Sequence, residues 1–235
     1  MGERDRIVPA ETSAHEVEEF LRKVAITPAP MRSGGRGRLI FAIDATASRE
    51  PTWDMACHIQ SEMFRETDAL GGLDIQLVFY RGFGQCLATP WLSNSADLVA
   101  RMSRVMCQGG RTQIRKILRH AVKETKKKPV HALVFVGDAM EEDVDALCHV
   151  AGELGLLGVP AFMFHEGGEL VARRAFQQIA RLSGGAYCAF DAGSAKQLRD
   201  LLSAVAVYAA GGRPALEDFG KKRGGAVLQI TNQMR

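Results

Sequence analysis

Six consecutive residues, Leu39-Ile40-Phe41-Ala42-Ile43-Asp44, constrain this chain more than any others. An unbroken apolar run leaves no face for water, so the segment reads as a strand covered on both sides, as in a parallel sheet sandwiched between helices. Parallel strands in turn demand long crossover connections, usually helical. The run ends on a carboxylate, and hydroxyls follow at Thr46 and Ser48. Three oxygen-bearing side chains are thereby expected just beyond the carboxyl end of a buried strand, the edge where open α/β sheets bind ligands. Oxygens turned toward one point there suit a hard divalent cation.

The rest of the chain supplies the neighbours such a strand needs. After a disordered start, residues 1–11, Ser13 and Glu16 form a capping box, and Val17, Phe20, Leu21 and Val24 set an amphipathic helix over 13–25. The Pro-, Gly- and Arg-rich stretch 27–38 reads as a linker. Its glycines precede a strand, so they do not form a phosphate loop. Met55, Ile59 and Met63 mark a helix over 49–67, with Pro51 in its first turn. Leu73 to Tyr80 and Gln85 to Thr89 read as strands joined by the tight turn Arg81-Gly82-Phe83-Gly84, hence an antiparallel hairpin at a sheet edge. A helix capped by Ser95 or Asp97 is expected to run to about Met106, and Gly109-Gly110-Arg111-Thr112 then breaks the chain before a helical stripe of Ile114, Ile117, Leu118, Ala121 and Val122. Ala132 to Val136 is a second unbroken apolar strand, ending at Gly137-Asp138. A helix with Val144, Leu147, Cys148, Ala151 and Leu154, a strand Val159 to Phe164, a helix Val171 to Leu182, a strand Ala186 to Phe190 and a helix Ala195 to Ala209 complete the alternation.

Alternating strands and helices predict an α/β fold: a Rossmann-like, doubly wound, mostly parallel sheet with one antiparallel edge hairpin. Three segments are expected: an N-terminal arm, helix and linker over 1–36, the α/β domain over 37–210, and a Gly- and Lys-rich tail over 211–235, in which Val227-Leu228-Gln229-Ile230 can add a strand. With 235 residues, 46% apolar and 24% charged, the chain can bury a substantial core. A net charge of +3 makes no electrostatic case for nucleic acid. The basic run Lys123, Lys126, Lys127 and Lys128 closes a helix favourably. Five scattered cysteines (Cys57, Cys86, Cys107, Cys148, Cys188) without a CxxC pair suggest neither a disulfide framework nor a zinc site. No stretch offers the about 18 unbroken apolar residues of a membrane span, and no secretory signal opens the chain, so the cytoplasm is the expected location.

Oxygen ligands thus occur at three separated points: Asp44, Thr46 and Ser48 after the first strand, Thr112 in a loop before a helix, and Asp138 after a later strand. The arrangement resembles the von Willebrand factor A (VWA) domain and its metal-ion-dependent adhesion site (MIDAS). That family carries DxSxS after the first strand, a Thr in a loop before a helix, and an Asp after the fourth strand. Asp44-Ala45-Thr46-Ala47-Ser48 departs from it by a Thr for the first Ser, which keeps the hydroxyl and adds a methyl. The resemblance covers about residues 37 to 210 and implies Mg²⁺ or Mn²⁺ at Asp44, Thr46, Ser48, Thr112 and Asp138. It implies that Thr46 and Ser48 bind directly, the two aspartates mostly through waters, and Thr112 either way according to state. A cation with so few charged ligands stays electrophilic and accepts an Asp or Glu from a partner protein. On this reading the chain is a metal-dependent adhesion or scaffold module of a bacterial, intracellular kind. It is not an enzyme, and neither nucleic acid nor membrane is an expected partner.

Each residue also has an ordinary role open to it. Asp44 and Thr112 can cap helices, and Glu141, Glu142 and Asp143 can favour a helix N-terminus electrostatically. His165 follows a strand and can reach the same edge, but without a partner motif it reads as structural. Two rival functions stand beside adhesion. A haloacid dehalogenase-like, Mg²⁺-dependent phosphatase would use Asp44 as nucleophile, although Thr46 occupies the place of that family's acid/base Asp and Thr112 follows Gly-Gly-Arg, not an apolar strand. A VWA-like scaffold without a working metal site is the other. The chain has no Walker A motif, no GxGxxG after a strand and no GxSxG elbow.

Overall fold

The computed structural model describes residues 19–20, 22–23, 36–49, 53, 72–190 and 195–223. The apolar run forms β1 (Gly37–Asp44), whose residues are all buried. The other strands are β2 (Leu73–Arg81), β3 (Gln85–Ala88), β4 (Ala132–Gly137), β5 (Ala161–Glu166) and β6 (Tyr187–Phe190), and the six lie in the order β3-β2-β1-β4-β5-β6. β1 pairs in parallel with both β2 and β4, the β4–β5 and β5–β6 pairs are also parallel, and only β2–β3 is antiparallel. The sheet is therefore mostly parallel with one antiparallel edge strand, as the sequence pattern predicts. The chain builds outward from β1 to β3, then returns past β1 to start β4. Strand order reverses at β1, and the crevice at its carboxyl end is the topological switch point.

Helices cover both faces. On one, α1 (Ser95–Met102) and α5 (Ala195–Arg223), with Phe20 and Trp53, enclose Leu39, Phe41, Ile43, Val134 and Phe162. On the other, α2 (Ile114–Lys127), α3 (Val144–Leu156) and α4 (Leu170–Ser183) enclose Ile40, Ala42, Leu133 and Phe135. Successive β1 side chains alternate between these two cores, which is why the strand needs an unbroken apolar run.

Three local features differ from the sequence expectation. The cap of α1 is Asn94, whose side chain accepts from Asp97 N, and the helix stops at Met102. The helix expected to end at Ala209 continues: Gly212 (φ 66°) breaks its path and Pro214 lies just beyond, where a helical first turn tolerates it. Leu216 and Phe219 then return to the core, so residues 211–223 are not a loose tail. The start 1–11, most of the helices expected over 13–25 and 49–67, linker positions 27–35 and the strand expected at 227–230 lie outside the described residues. Among the described residues, no helix is long and apolar enough to cross a membrane.

A buried polar cluster fastens the amino end of β1. The Arg38 guanidinium lies 3.7 Å over the Trp91 ring, donates to the Lys128 carbonyl and stands 3.8 Å from Glu124. Glu124 also accepts from Trp91 Nε1 at 3.0 Å and from Lys127 Nζ. Burial, the largest influence on the Glu124 carboxyl, pushes it upward, but hydrogen bonds from Lys127 and Trp91 outweigh this and hold it below the ordinary carboxylate range. An acid depressed on folding stabilises above its unfolded pKa, and that contribution is lost as pH falls through the folded value. Glu124→Gln is expected to cost about 1–3 kcal/mol of stability at neutral pH. In denaturant melts the gap from wild type should close as pH falls below the ordinary carboxylate range.

Candidate metal centre

The register of the central strands brings the first and last ligand groups together. Ile43 lies opposite Val136, so Asp44 and Gly137 emerge side by side. A Cβ on Gly137 would stand 2.7 Å from the Phe135 ring and at ordinary contact, 3.7 Å, from Asp44 Cβ, so glycine there makes room for the Phe135 ring. Asp44 is 1% exposed. Its Oδ1 accepts from Thr46 N at 2.7 Å, and its Oδ2 accepts from the Tyr80 hydroxyl at 2.9 Å. The first bond closes an Asx-type turn. That turn sets Thr46 Oγ1 3.2 Å from Ser48 Oγ, which donates to Asp138 Oδ2 at 2.8 Å. Four of the five candidate ligands therefore meet at the switch point.

Thr112 reaches the same rim by a different route. Gln108 N donates to the Ala45 carbonyl at 3.0 Å, and Arg111 N donates to the Gly82 carbonyl at 3.2 Å. Gly110 lies so close beneath that a Cβ would stand 2.1 Å from the Gly82 oxygen. Thr112 is not hydrogen-bonded to Asp44, Ser48 or Asp138; it is bonded to the loop that follows Asp138. Glu141 N donates to Thr112 Oγ1 at 3.0 Å, while Thr112 N donates to Glu141 Oε2 at 3.2 Å. This is the reciprocal pattern of a capping box, built between two loops instead of within one helix. Glu142 extends it by accepting from Ile114 N and from Arg115 N, so α2 is capped by a carboxylate from another segment. Asp143 caps α3 through Ala146 N.

His165 is buried and serves as a brace. Its Nε2 lies 3.2 Å from the Asp138 carbonyl oxygen and its Nδ1 lies 3.0 Å from the Tyr187 hydroxyl. A neutral imidazole protonated on Nε2 satisfies both contacts, and burial, the main cause, pushes its pKa down.

The electrostatics of the rim fit a cation. Burial is the chief reason the Asp44 pKa is raised; hydrogen bonds from Thr46 and Tyr80 oppose it, and the Asp138 charge adds to the rise. Asp138 Oδ1 is buried without a hydrogen-bond partner. Two carboxylates thus converge among hydroxyl oxygens of the kind that match a hard ion. Among the described residues, no three His, Cys, Asp or Glu side chains gather into a metal site, and the donors here include two hydroxyls beside two carboxylates.

Tyr80 and the Glu141–Glu142 pair were not singled out as members of this site from sequence. Tyr80 carried a usable signal, since it ends β2 as Asp44 ends β1, and the two are register partners. Glu141 and Glu142 stand in an acidic cluster that reads as favouring a helix N-terminus, but the sequence does not say which helix, because their contacts join segments far apart in the chain.

No protein-family model matches the sequence, and no curated protein matches it. Solved structures do. The VWA domain of SpRpn10 aligns with a TM-score of 0.54 at 14% identity, over 71% of this chain and 94% of that one. Proximal thread matrix protein 1 from the mussel byssus, with a zinc-occupied MIDAS motif, aligns with a TM-score of 0.54 at 15% identity, over 73% of this chain and 46% of that one. The PilB minor pilin from Streptococcus sanguinis aligns with a TM-score of 0.55 at 10% identity, over 83% and 65%. The chain thus spans under half of the mussel protein and just under two thirds of the pilin. At these identities the likeness defines the fold, which is VWA-like.

Tyr80→Phe removes the donor to Asp44 Oδ2 with almost no change in volume. It is expected to cost about 1–3 kcal/mol in metal-free urea titrations. Glu142→Ala, which uncaps α2, is expected to cost about 1 kcal/mol.

Proposed function

We propose that this chain is a VWA-type binding module that takes Mg²⁺ or Mn²⁺ at Asp44, Thr46, Ser48, Thr112 and Asp138 and recruits a protein partner through it. The observation that carries this reading is the oxygen chain Thr46–Ser48–Asp138, with a buried, unpartnered Asp138 Oδ1 at the switch point. The zinc-occupied MIDAS of a structurally similar protein supports a divalent ion in a fold of this kind. When bound, such an ion supplies a Lewis-acidic position for one further oxygen, which a partner's Asp or Glu suits.

The chain's own residues divide the work. Ser48 is exposed and Thr46 half-buried, so neutral hydroxyls face outward. Asp44 accepts one bond at each oxygen, from the Thr46 N–H and the Tyr80 hydroxyl, which holds the turn and leaves each oxygen a further lone pair toward the ion's shell. Thr112 Oγ1, already accepting from Glu141, keeps a second lone pair for the rim. The same geometry speaks against phosphatase chemistry, because a nucleophilic carboxylate needs an open path to phosphorus and Asp44 is 1% exposed.

Affinity capture with the full chain tests the reading, run in Mg²⁺ and in chelator with wild type and Ser48→Ala, which removes an exposed hydroxyl together with its bonds to Thr46 and Asp138. A partner retained by wild type in Mg²⁺ should be lost from both the chelated and the Ser48→Ala samples. Equal retention in all of them contradicts metal-dependent binding and leaves a scaffold with no working ion site.

A further inference from the structure

A second surface is independent of the ion. Among the described residues β3 is the outermost strand and pairs with β2 alone. An edge strand presents unpaired backbone N–H and C=O groups, a template for another extended chain. Beside it lies a cleft of about 320 Å³ between β3 and the end of α1, lined by Phe79, Leu87 and Val105 with Arg81, Arg101 and Arg104 around it. Leu87 is 45% exposed although it faces Phe79 across the hairpin. Arg81 is committed, donating to Gln85 Oε1 at 3.0 Å and to the Met106 carbonyl at 2.9 Å. Arg101 and Arg104 are exposed, and no ion pair among the described residues involves either.

We infer that this cleft docks an extended, acidic segment of a partner protein, which adds as a strand along β3, seats an apolar side chain against Phe79, Leu87 and Val105, and offers flanking carboxylates to Arg101 and Arg104. The backbone edge selects an extended chain, and the apolar lining selects a side chain of leucine or phenylalanine size. Guanidinium forks take carboxylates bidentately. Alternating side chains of a strand bring every second residue to the same face, so acidic and apolar positions spaced by two can meet the cleft together.

The test uses the full chain in chelator, so that the candidate metal centre contributes nothing, and pans a phage-displayed library of random octapeptides. Selected peptides should carry apolar residues flanked by Asp or Glu and should slow hydrogen exchange at the Gln85–Ala88 amides. Their affinity should fall at least tenfold for Arg101→Glu/Arg104→Glu and for Leu87→Ser, all at exposed positions. An empty selection, peptides without acidic residues, equal binding to the arginine double variant, or unchanged exchange in β3 would each overturn the proposal.

Discussion

A carboxylate fixed at the end of a strand with no exposed face is the constraint from which the rest of this site follows. Burying such a charge is costly unless hydrogen bonds replace its water. Asp44 has two, from the Thr46 N–H and the Tyr80 hydroxyl. The Tyr80 hydroxyl itself is held protonated, because burial first and the Asp44 charge second push its pKa far up. These bonds shape the following turn, and the turn presents Thr46 and Ser48 outward. Compensation is incomplete, however, since a second carboxylate, Asp138, arrives from β4 with one oxygen unsatisfied. A rim assembled from two acids and neutral hydroxyls therefore lies at the point where strand order reverses.

The loops around that point are stitched by backbone and carboxylate contacts, with Met140 and Ile114 packed in one apolar core beneath. Glu141 and Thr112 exchange bonds, Glu142 caps α2, and His165 holds the Asp138 carbonyl from below. Movement of the Thr112 loop relative to the Asp138 loop must therefore break a reciprocal pair of hydrogen bonds and uncap a helix. Such a rim is pre-organised, which lowers the ordering cost of any ligand it takes.

Much of this was legible in the chain. The run Leu39 to Ile43 announced a doubly covered strand, and the Arg81–Gly84 turn announced the antiparallel edge, because both depend on local pattern alone. Asp44, Thr46, Ser48 and Asp138 could be grouped because each follows directly from a strand end. What escaped were interactions across sequence distance: Tyr80 on Asp44, Glu142 on α2, and the return of Leu216 and Phe219 to the core beyond Gly212. Gly211, Gly212 and Pro214 read as a helix end, yet a break followed by a proline-tolerant first turn restarts the helix. Asn94 was overlooked beside the equally plausible caps Ser95 and Asp97, a choice that only backbone geometry decides.

The most direct examination of the central claim is a diffraction experiment on crystals soaked in Mn²⁺, with the ion located by its anomalous scattering. The account predicts one strong peak within ligating distance of Thr46 Oγ1 and Ser48 Oγ, with the Ser48–Asp138 hydrogen bond replaced by contacts to the ion or its waters. A map with no peak there at saturating Mn²⁺, and Ser48 still donating to Asp138, would contradict it.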